Sequence, residues 1–283
     1  MSVGLVLEGG AMRGMYTAGV LDVFMENNIN VDGIIGVSAG VLFGVNYLSK
    51  QPGRVIRYNK RFIKDPRYMG VKSLLKTGNV INKEFSFYEV PCKLDVFDND
   101  TYKASNVPFY ATVSNIETGK AEYLKLEDVF EQMEILRATS AMPYVSKIVE
   151  YEGKKYLDGG TTDSIPFKKA KEMGHDKMII VLTRPIEYRK SKPKSFVAKL
   201  KYNKYPNFVN AINNRYKMYN DSVEEIIKLE NDENGKKEIF VIRPSKTIKM
   251  RRIEKDENKL QEMYDLGRKD AEAKLEELKI WMS

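Results

Sequence analysis

The stretch from Val3 to Leu48 constrains the fold more tightly than any other part of the chain. Val3 to Glu8 is a short apolar run of the kind a sheet buries on both faces, and it ends in the backbone-rich turn Gly9-Gly10-Ala11-Met12-Arg13-Gly14. Met15 to Asn27 follows with Val20, Val23 and Phe24 at helical spacing, and Asn27-Asn28 stops it. Gly33 to Val37 reads as a second buried strand and Ala39 to Leu48 as a second helix. Strand, helix, strand, helix with short connections predicts an α/β fold, a parallel sheet with right-handed crossovers.

The pattern continues down the chain. Phe109 to Asn115 and Lys120 to Leu124 read as strands joined by a Glu117-Thr118-Gly119 turn, Leu126 to Thr139 as a helix, and Ile148 to Leu157 as a hairpin. Phe167 to Met173 reads as a helix closed by Gly174, and Met178 to Thr183 as another buried strand. Pro206 to Leu229 and Ile253 to Met282 carry long helical periodicity, with Phe240 to Arg243 a last strand between them. No internal repeat and no clear linker interrupts the 283 residues, so one domain, 1–283, with a helical C-terminal extension over about 206–283 is expected. The helical segments Asn59 to Lys76 and Pro206 to Leu229 are candidates for a lid or a wall around a bound chain, although such helices more often pack a core.

Composition removes several function classes. One cysteine, Cys92, rules out a disulfide scaffold, and with a single histidine, His175, a Cys/His zinc site is nearly ruled out as well. No basic segment precedes an apolar stretch at the start, and the longest weakly polar stretch, Gly33 to Val45, falls short of the ~18–20 residues a membrane span needs. A cytoplasmic location is the expectation.

The net charge of +8 is unevenly spread. Arg184 to Lys204 holds eight basic side chains against one acid, Glu187. A charge run of this kind is first a solvated surface loop. Its sharper reading is a peripheral contact with anionic lipid headgroups, aided by Tyr188, Phe196, Tyr202 and Tyr205. No nucleic-acid reading motif accompanies the charge.

Three motifs carry chemistry. Gly36-Val37-Ser38-Ala39-Gly40 lies between a strand and a helix, the context of a nucleophile elbow, with Gly36 and Gly40 leaving room for the chain to fold back around Ser38. Gly9 to Gly14 presents successive amides at a helix mouth. That suits an oxyanion hole from Gly10 and Ala11 with Arg13 holding the loop, or a dinucleotide loop in which Ala11 replaces a glycine, or a βα turn with no ligand. Asp158-Gly159-Gly160 places a carboxylate after the strand-like Lys155-Tyr156-Leu157, where parallel sheets put reactive groups, although Asp-Gly is foremost a turn signal. Asp163, five residues on, caps the next helix or braces the loop.

His175 sits in a helix-to-strand loop, a connection that normally lies opposite the reactive edge. A Ser38–His175 pair is therefore disfavoured, and Asp158 becomes the leading base. The arrangement requires Ser38 and Asp158, distant in sequence, to meet beside the first glycine turn.

Taken in order, Gly9–Gly14, Gly36–Gly40 and Asp158–Gly160 resemble the motifs of the patatin-like phospholipases, especially their bacterial branch. Weaker similarity runs through Arg137 to Pro143 and Ile165-Pro166 to the C-terminal helix. Ala11 departs from the usual third glycine but keeps its N–H. The resemblance implies a three-layer sandwich with a mostly parallel central sheet flanked by helices. It also implies a serine acyl hydrolase acting on a lipid or acyl ester, with no cofactor and no metal in the chemical step. Ser38 would be the nucleophile and Asp158 its base. The glycine turn (Gly9, Gly10, Ala11, Arg13, Gly14) would bind the oxyanion. A nucleotide-binding α/β protein and a non-catalytic regulator on the same fold are the competing readings.

Overall fold

The computed structural model describes residues 1–283, the side chain of Ser195 excepted. The N-terminal part runs β1 (Val3–Leu7), α1 (Met15–Glu26), β2 (Gly33–Val37), α2 (Ala39–Leu48), α3 (Arg54–Phe62) and α4 (Val71–Thr77), then a π-helical segment over Glu84–Leu94 and α5 (Asn99–Ala104). The middle comprises β3 (Phe109–Asn115), β4 (Ala121–Lys125), α6 (Met133–Ser140), the β5–β6 hairpin (Val149–Tyr151, Lys154–Asp158), α7 (Phe167–Glu172) and β7 (Lys177–Val181). The C-terminal part adds α8 (Ser195–Lys201), α9 (Pro206–Asn231), α10 (Gly235–Glu238), β8 (Ile239–Ile242), α11 (Glu257–Ala273) and α12 (Leu275–Met282).

Five strands run parallel in the order β3-β2-β1-β7-β8. Successive side chains on a strand point to opposite faces, and the core divides accordingly. Leu5, Leu7, Ile34, Ile179 and Phe240 pack under α1, α2 and α11. Val6, Ile35, Ile180 and Val241 pack against Phe167 and Ala170 of α7 and Tyr219, Val223 and Ile226 of α9. Helices thus cover both faces, and the architecture is a three-layer α/β sandwich. Residues beyond 205 belong to it structurally: they supply the edge strand β8 and helices on both faces.

The register along β3 brings two distant chain segments together. One edge of β3 pairs with β4 over Tyr110–Ser114. The other edge is shared. Its first half pairs with β2, ending at Val37 opposite Thr112, and its second half pairs antiparallel with β6, beginning at Asp158 opposite Val113. β2 and β6 therefore run towards each other and stop at adjacent positions of one strand.

Two glycines let the C-terminal helix α11 lie directly on α1. A Cβ on Gly19 would fall 2.1 Å from the Tyr264 carbonyl oxygen, and one on Gly267 2.1 Å from that of Tyr16. Buried Asp22 closes this contact, accepting hydrogen bonds from Tyr264 Oη (2.5 Å) and the Gly53 amide (2.8 Å).

Several segments differ from the sequence expectation. Helix forms only over Met133–Ser140 of the expected Leu126–Thr139, because Asp128 accepts bonds from the Phe130 and Glu131 amides and turns the chain first. The C-terminal helix begins at Glu257, where Asp256 caps it by accepting from the Asn258 amide. Asn59 to Lys76 is two helices broken around Pro66. Arg184 to Lys204 is not a continuous solvated loop, since Ser195–Lys201 is helical and Tyr202 is buried. The π-helical segment has no counterpart among the expected elements, and it forms although Pro91, ordinarily a helix breaker, lies inside it.

Candidate active site

Ser38 stands at the sharp corner between β2 and α2 with φ +53° and ψ −120°, a conformation that costs a non-glycine residue roughly 1–3 kcal/mol. The neighbouring glycines make the corner sterically feasible. A Cβ on Gly40 would lie 2.6 Å from the Leu7 carbonyl oxygen, and one on Gly36 3.2 Å from the Val41 amide nitrogen. Thr139 pins the corner by accepting from the Ser38 amide (2.9 Å) and donating to the Thr112 carbonyl (2.7 Å).

Asp158 ends β6 across the junction described above. The Ser38 hydroxyl donates to Asp158 Oδ2 at 2.7 Å, and the Gly160 amide donates to Oδ1 at 2.8 Å. Gly159 must be glycine here, since a Cβ would lie 2.1 Å from the Thr112 carbonyl oxygen. Both side chains are buried, at 8% and 7% exposure. Burial pushes the Asp158 carboxyl above the usual carboxylate range, against the opposing pull of Arg215, the Ser38 hydroxyl and the Gly160 amide.

The glycine turn lies against this pair. A Cβ on Gly9 would fall 3.1 Å from that of Ser38. Among the described residues, the amides of Gly9, Gly10 and Ala11 donate to no protein acceptor. Ala11 adopts φ +49°, the left-handed region in which glycine is unstrained, which accounts physically for glycine being usual at this place. Arg13 lines the cavity beyond the turn. Gly14 lines neither of the two cavities that meet here; its missing Cβ lets α1 close on Phe43 and Ala39.

His175 is placed at the other end of the strands. Its ring packs on Gly4 and Gly33, where β1 and β2 begin, and its Nδ1 is 2.8 Å from Ser2 Oγ. Asp163 also lies apart from the pair. It accepts from Tyr123 Oη (2.8 Å), and burial raises its pKa to about 6.

Two cavities of opposite character open at Ser38. One is apolar, walled by Leu42 and Phe43 of α2, Tyr58 of α3, Phe87 and Val90 of the π-helical segment, and Leu136 of α6. The other is polar. Asp158 and buried Glu8 share it with five cations: Arg13, Arg184, Lys190, Arg215 and Arg252. Glu8 is held by Thr183, whose amide (2.6 Å) and hydroxyl (3.1 Å) both donate to it.

Reasoning from sequence missed Thr139, Glu8, Arg215 and Arg252 as site residues. For Arg215 a signal existed: it interrupts the buried stripe Phe208, Ile212, Tyr219, Val223 of α9 at helical spacing. The sequence places Arg184 and Lys190 in a surface charge run, but both turn inward to the polar cavity.

A family model described as patatin-like phospholipase matches residues 5–171, more than half the chain, and the protein belongs to that family. A second model, a domain of unknown function (DUF6363), matches residues 205–283. YjjU of Escherichia coli (strain K12), described as uncharacterized, is 29% identical over 278 residues, covering 94% of this chain and 75% of YjjU. Lysophospholipase nte1 of Emericella nidulans is 27% identical over 187 residues, covering 62% of this chain, and that of Aspergillus niger 27% over 192 residues, covering 64%. The alignments span only 11% and 12% of those two lysophospholipases. The crystal structure of VipD from Legionella pneumophila aligns with a TM-score of 0.41 and 13% identity, covering 96% of this chain and 67% of that one. Family and lysophospholipase relatives together support a lipid hydrolase.

Proposed function

We propose that the protein is a serine acyl hydrolase that cleaves a lipid acyl ester through a Ser38–Asp158 dyad. The observation that carries this reading is the 2.7 Å hydrogen bond from the hydroxyl of a strained, buried serine to a buried carboxylate. In the first step Ser38 Oγ attacks the ester carbonyl carbon while its proton passes to Asp158 Oδ2. The carbonyl electron pair moves onto oxygen, which the amides of Gly10 and Ala11, without protein acceptors, and that of Ala39 at the mouth of α2 would receive. The intermediate collapses to an acyl-serine, and the leaving alkoxide takes the proton from Asp158. Water then attacks the acyl-serine, its proton passing to Asp158 and on to Ser38. A carboxyl raised by burial is a stronger base than an ordinary aspartate, which this chemistry needs. The apolar cavity receives the acyl chain.

The same reading includes peripheral docking on an anionic membrane through the outer part of Arg184 to Lys204. Phe196 and Leu200 on α8 are 75% and 71% exposed among the exposed lysines Lys192, Lys194, Lys199 and Lys201. Lys201 Nζ donates to the Tyr144 carbonyl (3.1 Å), beside Met142 and Pro143 at the polar cavity. The expected surface is therefore narrower than the whole basic segment. No described helix is long and apolar enough to cross a membrane.

The test is mass spectrometry of the intact protein after treatment with a fluorophosphonate, run beside hydrolysis of a chromogenic short-chain ester. One adduct on wild type, none on Ser38→Ala, and a rate loss of about 10³-fold or more in that variant are expected. His175→Ala should label and turn over within about threefold of wild type, since its ring lies at the far end of the strands. Full activity in Ser38→Ala removes the dyad. Saturable nucleotide binding without labelling favours the nucleotide-binding alternative.

A further inference from the structure

Five cations around one nucleophile are more than the dyad chemistry uses. Two carboxylates face them, and both are already engaged: Asp158 by Ser38 and the Gly160 amide, Glu8 by Thr183. Among the described residues, none of Arg13, Arg184, Lys190, Arg215 and Arg252 forms an ion pair, although the chain's surface carries many. The Nε–H groups of Arg13 and Arg215 are buried with no acceptor. Buried donors are nearly always paired, so two unmatched guanidinium donors on side chains lining one cavity mark positive charge there that the protein does not itself balance. Mutual repulsion is visible too. Burial, with Arg215 next, pulls Lys190 well below the ordinary lysine range, and burial with Arg184 lowers Arg13 to about 10. Glu8 raises both, and it is the acid that faces them; Tyr188 lines the same cavity, and Lys190 Nζ lies over the Tyr219 ring.

The origin of these cations is informative. Only Arg13 lies in the stretch that matches the patatin-like model; Arg184 and Lys190 follow it, and Arg215 and Arg252 come from the 205–283 module. That module is tied to the glycine turn directly, the Met12 amide donating to the Arg252 carbonyl at 3.4 Å. Ser38 sits between this cationic cavity and the apolar one. An acyl ester reaching both must be a chain at one end and an anion at the other.

We propose that Arg215 and Arg252 of the C-terminal module, with Arg184 and Lys190, form a phosphate subsite that selects acyl esters bearing an anionic phosphate headgroup. The inference rests on the acyl-hydrolase reading above and names its substrate class. A planar guanidinium suits phosphate oxygens in bidentate contact, and two arginines can neutralise a dianion, whose charge would in turn favour the protonated form of Lys190.

The experiment compares three substrates of one short acyl chain, all below their micelle concentrations so that surface charge attraction is absent: lysophosphatidic acid, lysophosphatidylcholine and 1-monoacylglycerol. For wild type, kcat/KM for lysophosphatidic acid should exceed that for monoacylglycerol by about tenfold or more. In Arg215→Gln and in Arg252→Gln that ratio should fall about tenfold or more. Arg252 is exposed, so its variant keeps the test alive if Arg215→Gln fails to fold. Equal rates on phosphate-bearing and neutral esters, or variants that slow all three substrates equally, overturn the subsite. If wild type cleaves none of the three, the hydrolase reading fails, and calorimetric titration of the full chain with sn-glycerol 3-phosphate and with inorganic phosphate decides the subsite on its own. Glycerol phosphate binding that Arg252→Gln abolishes upholds it. No binding, or equal binding of inorganic phosphate, overturns the headgroup assignment.

Discussion

Ser38 and Asp158 each occupy a place that costs stability. The serine is held at positive φ and the carboxylate is buried, and on the proposed reading the same features would equip them for nucleophilic chemistry. Because burial raises the folded-state pKa of Asp158 above its unfolded value of ~3.9, the folded protein holds the proton longer as pH rises. The stabilising contribution is present below the unfolded pKa and is lost as pH climbs through the raised value. At pH 7.5 the Asp158→Asn protein should therefore melt higher than wild type, by about 2 °C or more, while ester hydrolysis falls about 10³-fold. Differential scanning calorimetry beside a rate assay checks both; a lower melting temperature contradicts the dominance of burial. For wild type, kcat/KM should fall on acidification with a midpoint above ~3.9, since the base must be ionised to accept the Ser38 proton.

At the scale of elements, close backbone approach is the recurring device. Gly36 and Gly40 bring β2, α2 and β1 together at the elbow, and Gly159 seats the turn after β6 on β3. Gly19 and Gly267 do the same for α1 and α11, anchoring the C-terminal helices on the N-terminal part of the chain. Adding a methyl at Gly267 forces that crossing apart, because its contact is the backbone of Tyr16 rather than a movable side chain. Gly267→Ala should lose about 1–3 kcal/mol, read from the midpoint of urea unfolding. An unchanged midpoint would show that the two helices do not pack this tightly.

At the scale of the molecule, charge is sorted by direction. Arg184 and Lys190 face the cavity, whereas the lysines of α8 face outward around Phe196 and Leu200. Binding to vesicles of phosphatidylglycerol and phosphatidylcholine in equal parts should weaken steadily with added salt, by screening of these exposed lysines. Phe196→Ser should weaken it further, about tenfold, through lost burial of an apolar side chain. Co-sedimentation measures both effects. Equal binding to purely zwitterionic vesicles would remove the electrostatic contact.

What the linear sequence determined was local. Apolar runs such as Val3 to Glu8, the glycine spacing around Ser38, and Asp158 before two glycines are all patterns within a few residues, imposed by strand burial and by backbone sterics. Helix forms over Glu84–Leu94 despite Pro91, and Asp128 delays the start of α6, because local signals there are overridden or incomplete. Only the tertiary structure decided what lies between such patterns. β2 and β6 end at adjacent positions because β3 offers both the same edge, and that register appears in neither strand's own residues. Arg215 and Arg252 enter the site because α9 packs on one face of the sheet and the Arg252 carbonyl meets the glycine turn. Elements are specified by short-range sterics and periodicity, whereas a cavity is lined by whichever side chains long-range packing brings to it.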